Sequence, residues 1–252
     1  MRSKQVFDAH AHLAPGARAL SSLLAAMDEH GIDRAIVVAG AVASPDRLSR
    51  QIVEGGHVED DADNGAVLVG GGRSAGRLVP FFFANPHRPA TVYRDGGPLF
   101  RGLKLAPAVH GVPFDDSRTV ELIEVAAELG HNVYAHCLHR RGFGVRDFVR
   151  LAARFPATTF ALGHSGVGDL DFHGIDLIEP MGNILFETSC GLTATVRRAL
   201  SRLGPERLMF GSEYPMQSPR VELTKLEVLE LSEREWDDIA WRTATRFAGE
   251  QG

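Results

Sequence analysis

Two histidines and an aspartate stand at alternate positions near the start of the chain, where they could bind a metal ion. Asp8, His10 and His12 lie within VFDAHAHLAP, residues 6–15. In a β-strand, side chains at i, i+2 and i+4 point to the same side, so this spacing predicts three polar groups on one face. A buried face deprives these groups of water, so they must be paired or bound to a ligand.

Four later apolar runs also end on an ionisable residue. They are GLKLAP with Lys104, VYAHC with His136, ALGHSG with His164 and MFGSEYP with Glu213. If the ends of these runs meet at one face of the fold, the four side chains converge with the paired histidines.

The predicted ligands of one divalent cation are His10, His12, His136 and Glu213. Imidazole nitrogens and a carboxylate oxygen are typical ligands of Zn²⁺, the first choice here, and such a site also accepts Mn²⁺, Fe²⁺ or Co²⁺. A divalent cation lowers the pKa of a water molecule towards ~7 and so provides a nucleophile at neutral pH. His164 would lie beside that water, as a general acid or base or as a group that orients the substrate.

The roles of the remaining polar residues stay open. Lys104 could bind a substrate carboxylate, carry a carboxylated amine that bridges two metals, or only pair with Glu213 or Asp8. Asp8 is predicted to orient a neighbour rather than to bind metal. His139 and Arg140 follow the run that ends at His136, and they form either a clamp for a substrate anion or a solvated basic loop. His110 is a weaker candidate for the same clamp.

Eight apolar segments are candidate strands, and helical patterns separate them. The segments are residues 6–12, 34–40, 77–86, 100–107, 131–137, 158–166, 183–190 and 207–215. This alternation predicts a parallel (β/α)₈ TIM barrel that spans 1–252 as a single domain. A doubly wound open sheet is the alternative, although no GxGxxG follows the first strand. In a barrel, the chemistry lies at the C-terminal ends of the strands, where the candidate residues occur.

One region, residues 54–76, lacks a clear pattern and is rich in Gly and Asp. It is interpreted as a mobile loop, or alternatively as a lid over the mouth of the barrel. The helices at the C-terminal end carry Trp236 and Trp241 on apolar stripes, which favours packing on the barrel. A homodimer contact through these helices is the alternative.

Composition excludes several classes of partner. The chain has 252 residues, of which 44% are hydrophobic and 23% charged, and its net charge is -5. This charge gives no reason to expect nucleic acid or an anionic membrane as a partner. No apolar run reaches the ~18 residues of a membrane span, and no signal peptide precedes the first strand. With two cysteines, Cys137 and Cys190, a disulfide framework is not indicated, which fits a cytoplasmic enzyme.

The segments FDAHAH, GLKLAP, YAHC, LGHSG, LFETS and RLMFGSEYP resemble, in order and spacing, those of the amidohydrolase superfamily. More narrowly, they are similar to the amidohydrolase-related group that includes aminocarboxymuconate-semialdehyde decarboxylase, over roughly residues 5–247. The resemblance implies a distorted (β/α)₈ barrel with one divalent metal, often zinc. His10, His12, His136 and the acidic residue of the last motif would hold the metal, and His164 would match the catalytic histidine of the family.

The last motif departs from the family, which usually has Gly-Ser-Asp or Gly-Thr-Asp where this chain has Gly211-Ser212-Glu213. The extra methylene places the carboxylate roughly 1.5 Å further from the backbone, the length of one C–C bond. The longer side chain could bind the metal in another way, or leave it and act only as a base.

Three functions follow from this sequence. The first is a metal-dependent hydrolase, in which activated water attacks a small amide, lactone or related carbonyl substrate. The second is a metal-dependent, non-oxidative decarboxylase of a small aromatic or enoic acid. The third and least favoured function is a catalytically degenerate binding protein. The glutamate in the last motif is the only sequence feature that suggests it. Basic groups near the predicted metal, such as Lys104 and Arg140, favour a small-molecule substrate that carries a carboxylate.

Overall fold

The computed structural model describes residues 5–250, and parallel strands form its centre. The strands are β1 (Phe7–Leu13), β2 (Arg34–Ala39), β3 (Leu78–Pro80), β4 (Phe82–Phe83), β5 (Gly102–Leu105), β6 (Asn132–Ala135), β7 (Phe160–Leu162), β8 (Ile184–Glu187) and β9 (Leu208–Met209). β3 and β4 are the two halves of the third predicted strand, interrupted at Phe81. The first half pairs with β2 and the second with β5. The first four and last two residues of the predicted 1–252 domain lie outside the described residues.

Backbone hydrogen bonds close these strands into a ring. The order β1-β2-β3 continues through Phe81, whose N–H donates to the carbonyl of Val37 (3.0 Å), into the order β4 to β9. On the other side, the N–H of Ala9 donates to Phe210 O (2.7 Å) and that of Glu213 donates to His10 O (2.9 Å). The predicted (β/α)₈ barrel is therefore confirmed.

Helices connect the strands and cover the outside of the barrel. They are α1 (Ala19–Glu29), α2 (Pro45–Glu54), α3 (Asn64–Arg73), α4 (Ala90–Gly96), α5 (Pro107–His110), α6 (Ser117–Glu128), α7 (Val145–Ala153), α8 (Phe172–Ile178), α9 (Thr193–Leu203), α10 (Pro219–Glu227), α11 (Glu233–Asp237) and α12 (Thr243–Phe247), with one π-helical turn at Asp238–Arg242. α6 shows the local logic, because Asp116 caps its first turn and Leu122, Val125 and Ala126 form its buried stripe. Among residues 5–250, no helix combines the length and the apolar character that crossing a membrane requires.

Side chains fill the barrel interior and close it at the N-terminal end of the strands. Phe7, Phe81 and Tyr134 are almost fully buried in one cluster inside the ring. At the N-terminal end of the strands, the ring of Trp241 lies 5.7 Å from that of Phe7, between centroids. Trp236 is also buried. The prediction that the last helices pack on the barrel is confirmed, and the polar residues are left to the opposite, C-terminal face.

The interpretation of residues 54–76 as an irregular segment is wrong for its second half, which is α3. Asp63 caps this helix by accepting a hydrogen bond from Ala66 N (2.9 Å). The glycines that obscured the helix are needed for packing. A Cβ at Gly70 would lie 3.0 Å from Leu13 Cδ2, and one at Gly71 would lie 2.7 Å from Pro80 Cγ. Close approach to the barrel has therefore outweighed the low helix propensity of glycine.

The strands end earlier than predicted at the sites of interest. The segment predicted as 158–166 is a strand only over Phe160–Leu162, and the segment 207–215 only over Leu208–Met209. His164 and Glu213 therefore lie in loops, and strand alternation does not set their orientation. Both have a left-handed backbone, with φ of 57° and 56°, which turns each side chain back over the end of the barrel.

Candidate functional site

The predicted metal ligands and the predicted catalytic histidine come together at the C-terminal end of the barrel. His10 and His12 lie on β1, and His136 directly follows β6. His164 and Glu213 lie in the loops after β7 and β9. All except His12 offer one ligand atom each within 4.8 Å of one another.

The carboxylate of Glu213 is the centre of this group. Its Oε2 lies 3.0 Å from His10 Nε2 and 2.8 Å from His164 Nε2, and its Oε1 lies 3.3 Å from His12 Nε2. Burial alone would raise the pKa of this carboxyl, but the facing imidazoles outweigh burial and hold its pKa well below the usual range. Glu213 is therefore ionised, and its longer side chain reaches the histidines despite the departure from the family motif.

Three further contacts bring His136 and Lys104 into the group. The His136 ring stacks on that of His164 with centroids 3.5 Å apart. The Lys104 amine lies 2.6 Å from His136 Nε2 and 3.4 Å from His10 Nε2. Lys104 is completely buried, and this burial lowers its pKa well below the usual value. The amine is thus suited to hydrogen bonding as a neutral group rather than to forming an ion pair.

Asp8 holds the two ends of the barrel closure together. Its Oδ1 accepts hydrogen bonds from His10 N and Ser212 N, both at 2.9 Å, and its Oδ2 accepts one from the Ser212 hydroxyl. Burial raises the pKa of Asp8 to about 7, against the lowering effect of these hydrogen bonds. Asp8 makes no contact with the metal-ligand candidates other than through the backbone, in line with the predicted orienting role.

The sequence analysis missed a further buried carboxylate, Glu187, at the end of β8. Its Oε2 accepts hydrogen bonds from Tyr134 Oη (2.6 Å), Ser189 Oγ (2.9 Å) and His164 N (3.0 Å). Glu187 is 0% exposed. The signal was present in LFETS, because a glutamate that ends an otherwise apolar strand is costly to bury without partners.

The donor set fits a divalent cation. His12 Nε2, His164 Nε2 and Glu213 Oε2 are buried but form no hydrogen bond of good geometry, although they face one another. Such unsatisfied nitrogen and oxygen atoms are rare in a folded interior unless an ion or a water molecule completes them. The arrangement offers up to four imidazoles and one carboxylate, of which a tetrahedral site would use four groups.

The remaining candidates lie away from this group or serve the fold. The Arg140 Nη2 donates to the carbonyls of Gln51 (3.0 Å) and Ile52 (3.1 Å) at the end of α2, and His139 is exposed. His110 is 1% exposed and its ring meets Phe83 edge-on at 5.6 Å, which is a packed rather than a ligand-binding position. No contact in the structure tests the predicted substrate role of His139 and Arg140.

A cavity of about 380 Å³ adjoins the group on the side of His12. Its lining includes Arg18 and Ser22, at the start of α1, and Tyr214, next to Glu213. This volume suits a small molecule. The cavity can therefore admit a small ligand beside His12, at the edge of the group.

Comparison with known proteins identifies the family. The amidohydrolase family model matches residues 7–249, almost the whole chain. A comparison with curated protein sequences returns no match.

Among solved structures, similar folds include two decarboxylases and one proposed hydrolase. The 5-carboxyvanillate decarboxylase of Novosphingobium aromaticivorans, with manganese and 4-hydroxy-3-methoxy-5-nitrobenzoic acid, has a TM-score of 0.72 at 15% identity, covering 97% of this chain and 96% of that one. The 2,6-dihydroxybenzoate decarboxylase of Rhizobium has a TM-score of 0.68 at 16% identity, covering 99% of each chain. A protein of Pseudomonas putida proposed to be a 2-pyrone-4,6-dicarboxylic acid hydrolase has a TM-score of 0.72 at 18% identity, covering 98% of each chain.

At these identities the likeness shows the shared fold alone. The family match rests on the sequence itself and covers the segments that carry His10, His136 and Glu213. The chain therefore belongs to the amidohydrolase family.

Proposed function

We propose that this protein is a metal-dependent hydrolase of a small amide, lactone or related carbonyl compound. The observation that carries the proposal is the convergence of three imidazole Nε2 atoms on the Glu213 carboxylate, at 2.8–3.3 Å, with no good hydrogen bond between several of the facing atoms. Ligands gathered in this way around one point suit a single divalent cation.

His10, His12, His136 and Glu213 would hold the ion, with Zn²⁺ as the first choice and Mn²⁺, Fe²⁺ or Co²⁺ as alternatives. When bound, a divalent cation polarises a carbonyl group and lowers the pKa of water at the site. His164 stays the proposed acid–base residue, although its Nε2 also lies within ligand distance of the others. The ionised Glu213 can accept a proton, and His164 Nε2, 2.8 Å from Glu213 Oε2, can carry that proton to a leaving group.

The substrate is proposed to carry a carboxylate. Lys104 offers a buried amine within the group, and His139 and Arg140 are retained as candidates for a second contact. The manganese-bound structure described above holds a hydroxybenzoic acid derivative, which is the kind of ligand that this proposal favours.

Decarboxylation of a small aromatic or enoic acid is the second candidate. The two decarboxylases of similar fold favour it. The same residues would serve, with His164 as the proton donor to carbon. Carbon dioxide release from hydroxybenzoic acids, measured beside ring opening of pyrone carboxylates, separates the two reactions. Release of carbon dioxide without any hydrolysis would overturn the hydrolase proposal.

Metal content is the first test. Elemental analysis of wild-type protein and of Glu213→Ala is expected to show one ion per chain in the wild type and a loss in the variant. One ion in both proteins would place Glu213 off the metal, as an acid–base residue only. Two ions in the wild type would support a carboxylated Lys104. No ion after reconstitution would contradict the proposed function and favour the degenerate binding protein.

A further inference from the structure

We propose that Glu187 is a positioning residue that holds groups of the metal site in place. We also propose that its negative charge helps to balance the positive charge of the metal ion. This inference rests on the proposed metal site. Glu187 lies at the end of β8, which β9 separates from β1 in the ring, and it is fully buried. Four hydrogen-bond donors meet its carboxylate: Tyr134 Oη, His164 N, Ser189 N and Ser189 Oγ. An environment made only of donors is that of an ionised carboxylate.

One connection leads from Glu187 to the backbone of His164. His164 and Ser165 both have left-handed φ angles, 57° and 54°, which non-glycine residues adopt at a cost. The Glu187 side chain accepts the hydrogen bond of His164 N (3.0 Å), and the Glu187 carbonyl accepts that of Ser165 N (2.9 Å). Glu187 thus holds both residues of the turn that directs the His164 ring towards Glu213.

The other connection leads through Tyr134 to β1 and β5. The Tyr134 hydroxyl donates to Glu187 Oε2 at 2.6 Å. The Tyr134 ring stacks on that of His10, with centroids 4.2 Å apart and planes 19° apart. Lys104 Nζ lies 4.2 Å from the centroid of the same ring. Through these two connections, one carboxylate sets the spacing of the His10 and His164 rings, whose centroids are 6.1 Å apart.

Tyr134 and Glu187 also pack directly against the backbone at Gly163 and Gly211. A Cβ at Gly163 would lie 2.5 Å from Tyr134 Cζ, and a Cβ at Gly211 would lie 2.6 Å from Glu187 Cδ. Gly163 directly precedes His164, and Gly211 lies two residues before Glu213. A displacement of Glu187 or Tyr134 must therefore be transmitted to the ligand groups.

The charge of Glu187 also lacks a protein cation. Among residues 5–250, no Lys, Arg or His side chain forms an ion pair with it, whereas the neighbouring Glu213 faces histidines and Glu222 pairs with Lys225. A buried charge without a counter-charge is costly. Glu187 and Glu213 together supply two negative charges, which match the two positive charges of a divalent cation.

The test compares metal binding and unfolding of wild type, Glu187→Gln, Tyr134→Phe and Ser189→Ala. Zn²⁺ affinity is measured by competition with a chelating dye, and the melting temperature is measured with EDTA and with Zn²⁺. Loss of an outer partner of a metal ligand typically weakens binding by roughly 10–100-fold, so Glu187→Gln is expected in this range. Tyr134→Phe should weaken binding less. Ser189→Ala removes a donor to the same carboxylate without touching His10 or His164, and should change affinity by less than about 3-fold.

The rise in melting temperature on adding Zn²⁺ separates positioning from simple stability. In Glu187→Gln the amide NH2 faces donors, so the EDTA melting temperature should fall, and the melting temperature with Zn²⁺ should fall further, which shrinks the rise. An unchanged affinity in Glu187→Gln, or equal losses in EDTA and Zn²⁺, would overturn the inference. If Glu187→Gln does not fold, an unchanged affinity in Tyr134→Phe overturns it instead. A wild type that binds no Zn²⁺ would refute the proposed function rather than this role of Glu187.

Discussion

Replacing Gly211 by alanine should disturb the metal site by adding one methyl group and no new chemistry. Gly211 has no positive φ, so alanine is compatible with its backbone. The new Cβ would overlap Glu187 Oε1, its nearest neighbour, and would lie 2.6 Å from Glu187 Cδ, whereas ordinary contact begins at 3.4 Å. The Glu187 carboxylate must therefore move by at least about 0.8 Å, or the strand end must move away from it.

Two effects of this displacement can be sized. Overpacking of this kind costs about 1–3 kcal/mol in the free energy of unfolding. In a chain of this length, each kcal/mol lowers the melting temperature by roughly 2–4 °C. Because the displaced carboxylate holds His164 N and Tyr134 Oη, Zn²⁺ affinity should also fall by about tenfold or more.

The assay is thermal unfolding in EDTA together with dye competition for Zn²⁺. Gly182→Ala is the matched control, because a Cβ at Gly182 meets nothing within 4 Å and this turn lies at the other end of β8. The control should match the wild type in both measurements. A folded Gly211→Ala protein that binds Zn²⁺ as tightly as the wild type would refute the argument that contacts of Glu187 are transmitted to the metal site.

Three further predictions concern single side chains. Glu213→Gln should retain the fold but lose more than about 100-fold in Zn²⁺ affinity by dye competition, since a direct ligand should exceed the range for outer partners; an unchanged affinity would place Glu213 off the metal. Burial lowers the pKa of His110 from 6.5 to about 4, so the unfolded state takes up the proton first and stability falls as the pH drops through this range. In EDTA, urea unfolding should show that the wild type loses about 2 kcal/mol relative to His110→Gln between pH 7.5 and 5; the same pH dependence in both proteins would contradict it. Arg140→Leu should cost about 1–2 kcal/mol in urea unfolding, because its guanidinium bonds two carbonyls of α2; unchanged stability with a raised KM for an acidic substrate would instead support the predicted substrate role.

The helices and strands were largely readable from the sequence because apolar periodicity reports burial directly. The stripe of α6 and the apolar run of β2 both appear as the pattern indicates. α3 was missed because its glycines are required by the close approach of Leu13 and Pro80, which lie in other elements of the fold. Local propensity has no information about a neighbour that is distant in the chain.

The candidate ligands were found because few buried strand ends carry histidine or glutamate without a reason. His10 and Glu213 were therefore predicted together from residue type and position, but their orientation was not. His164 and Glu213 point into the group because each backbone is left-handed, and Glu187 holds the first of these turns. Such conformations are stabilised by contacts between separate strands, so they become visible only when the barrel is assembled.

The sequence by itself determined the alternation of strands and helices, the family, and the residue types able to bind a metal. Only the tertiary structure decided which groups meet. It placed Lys104 against His136, centred the histidines on Glu213, and brought in Glu187 from a strand with no apparent role. The reason is physical: spacing along a strand fixes which face a side chain takes, whereas the distance between side chains on different strands depends on how the ring closes.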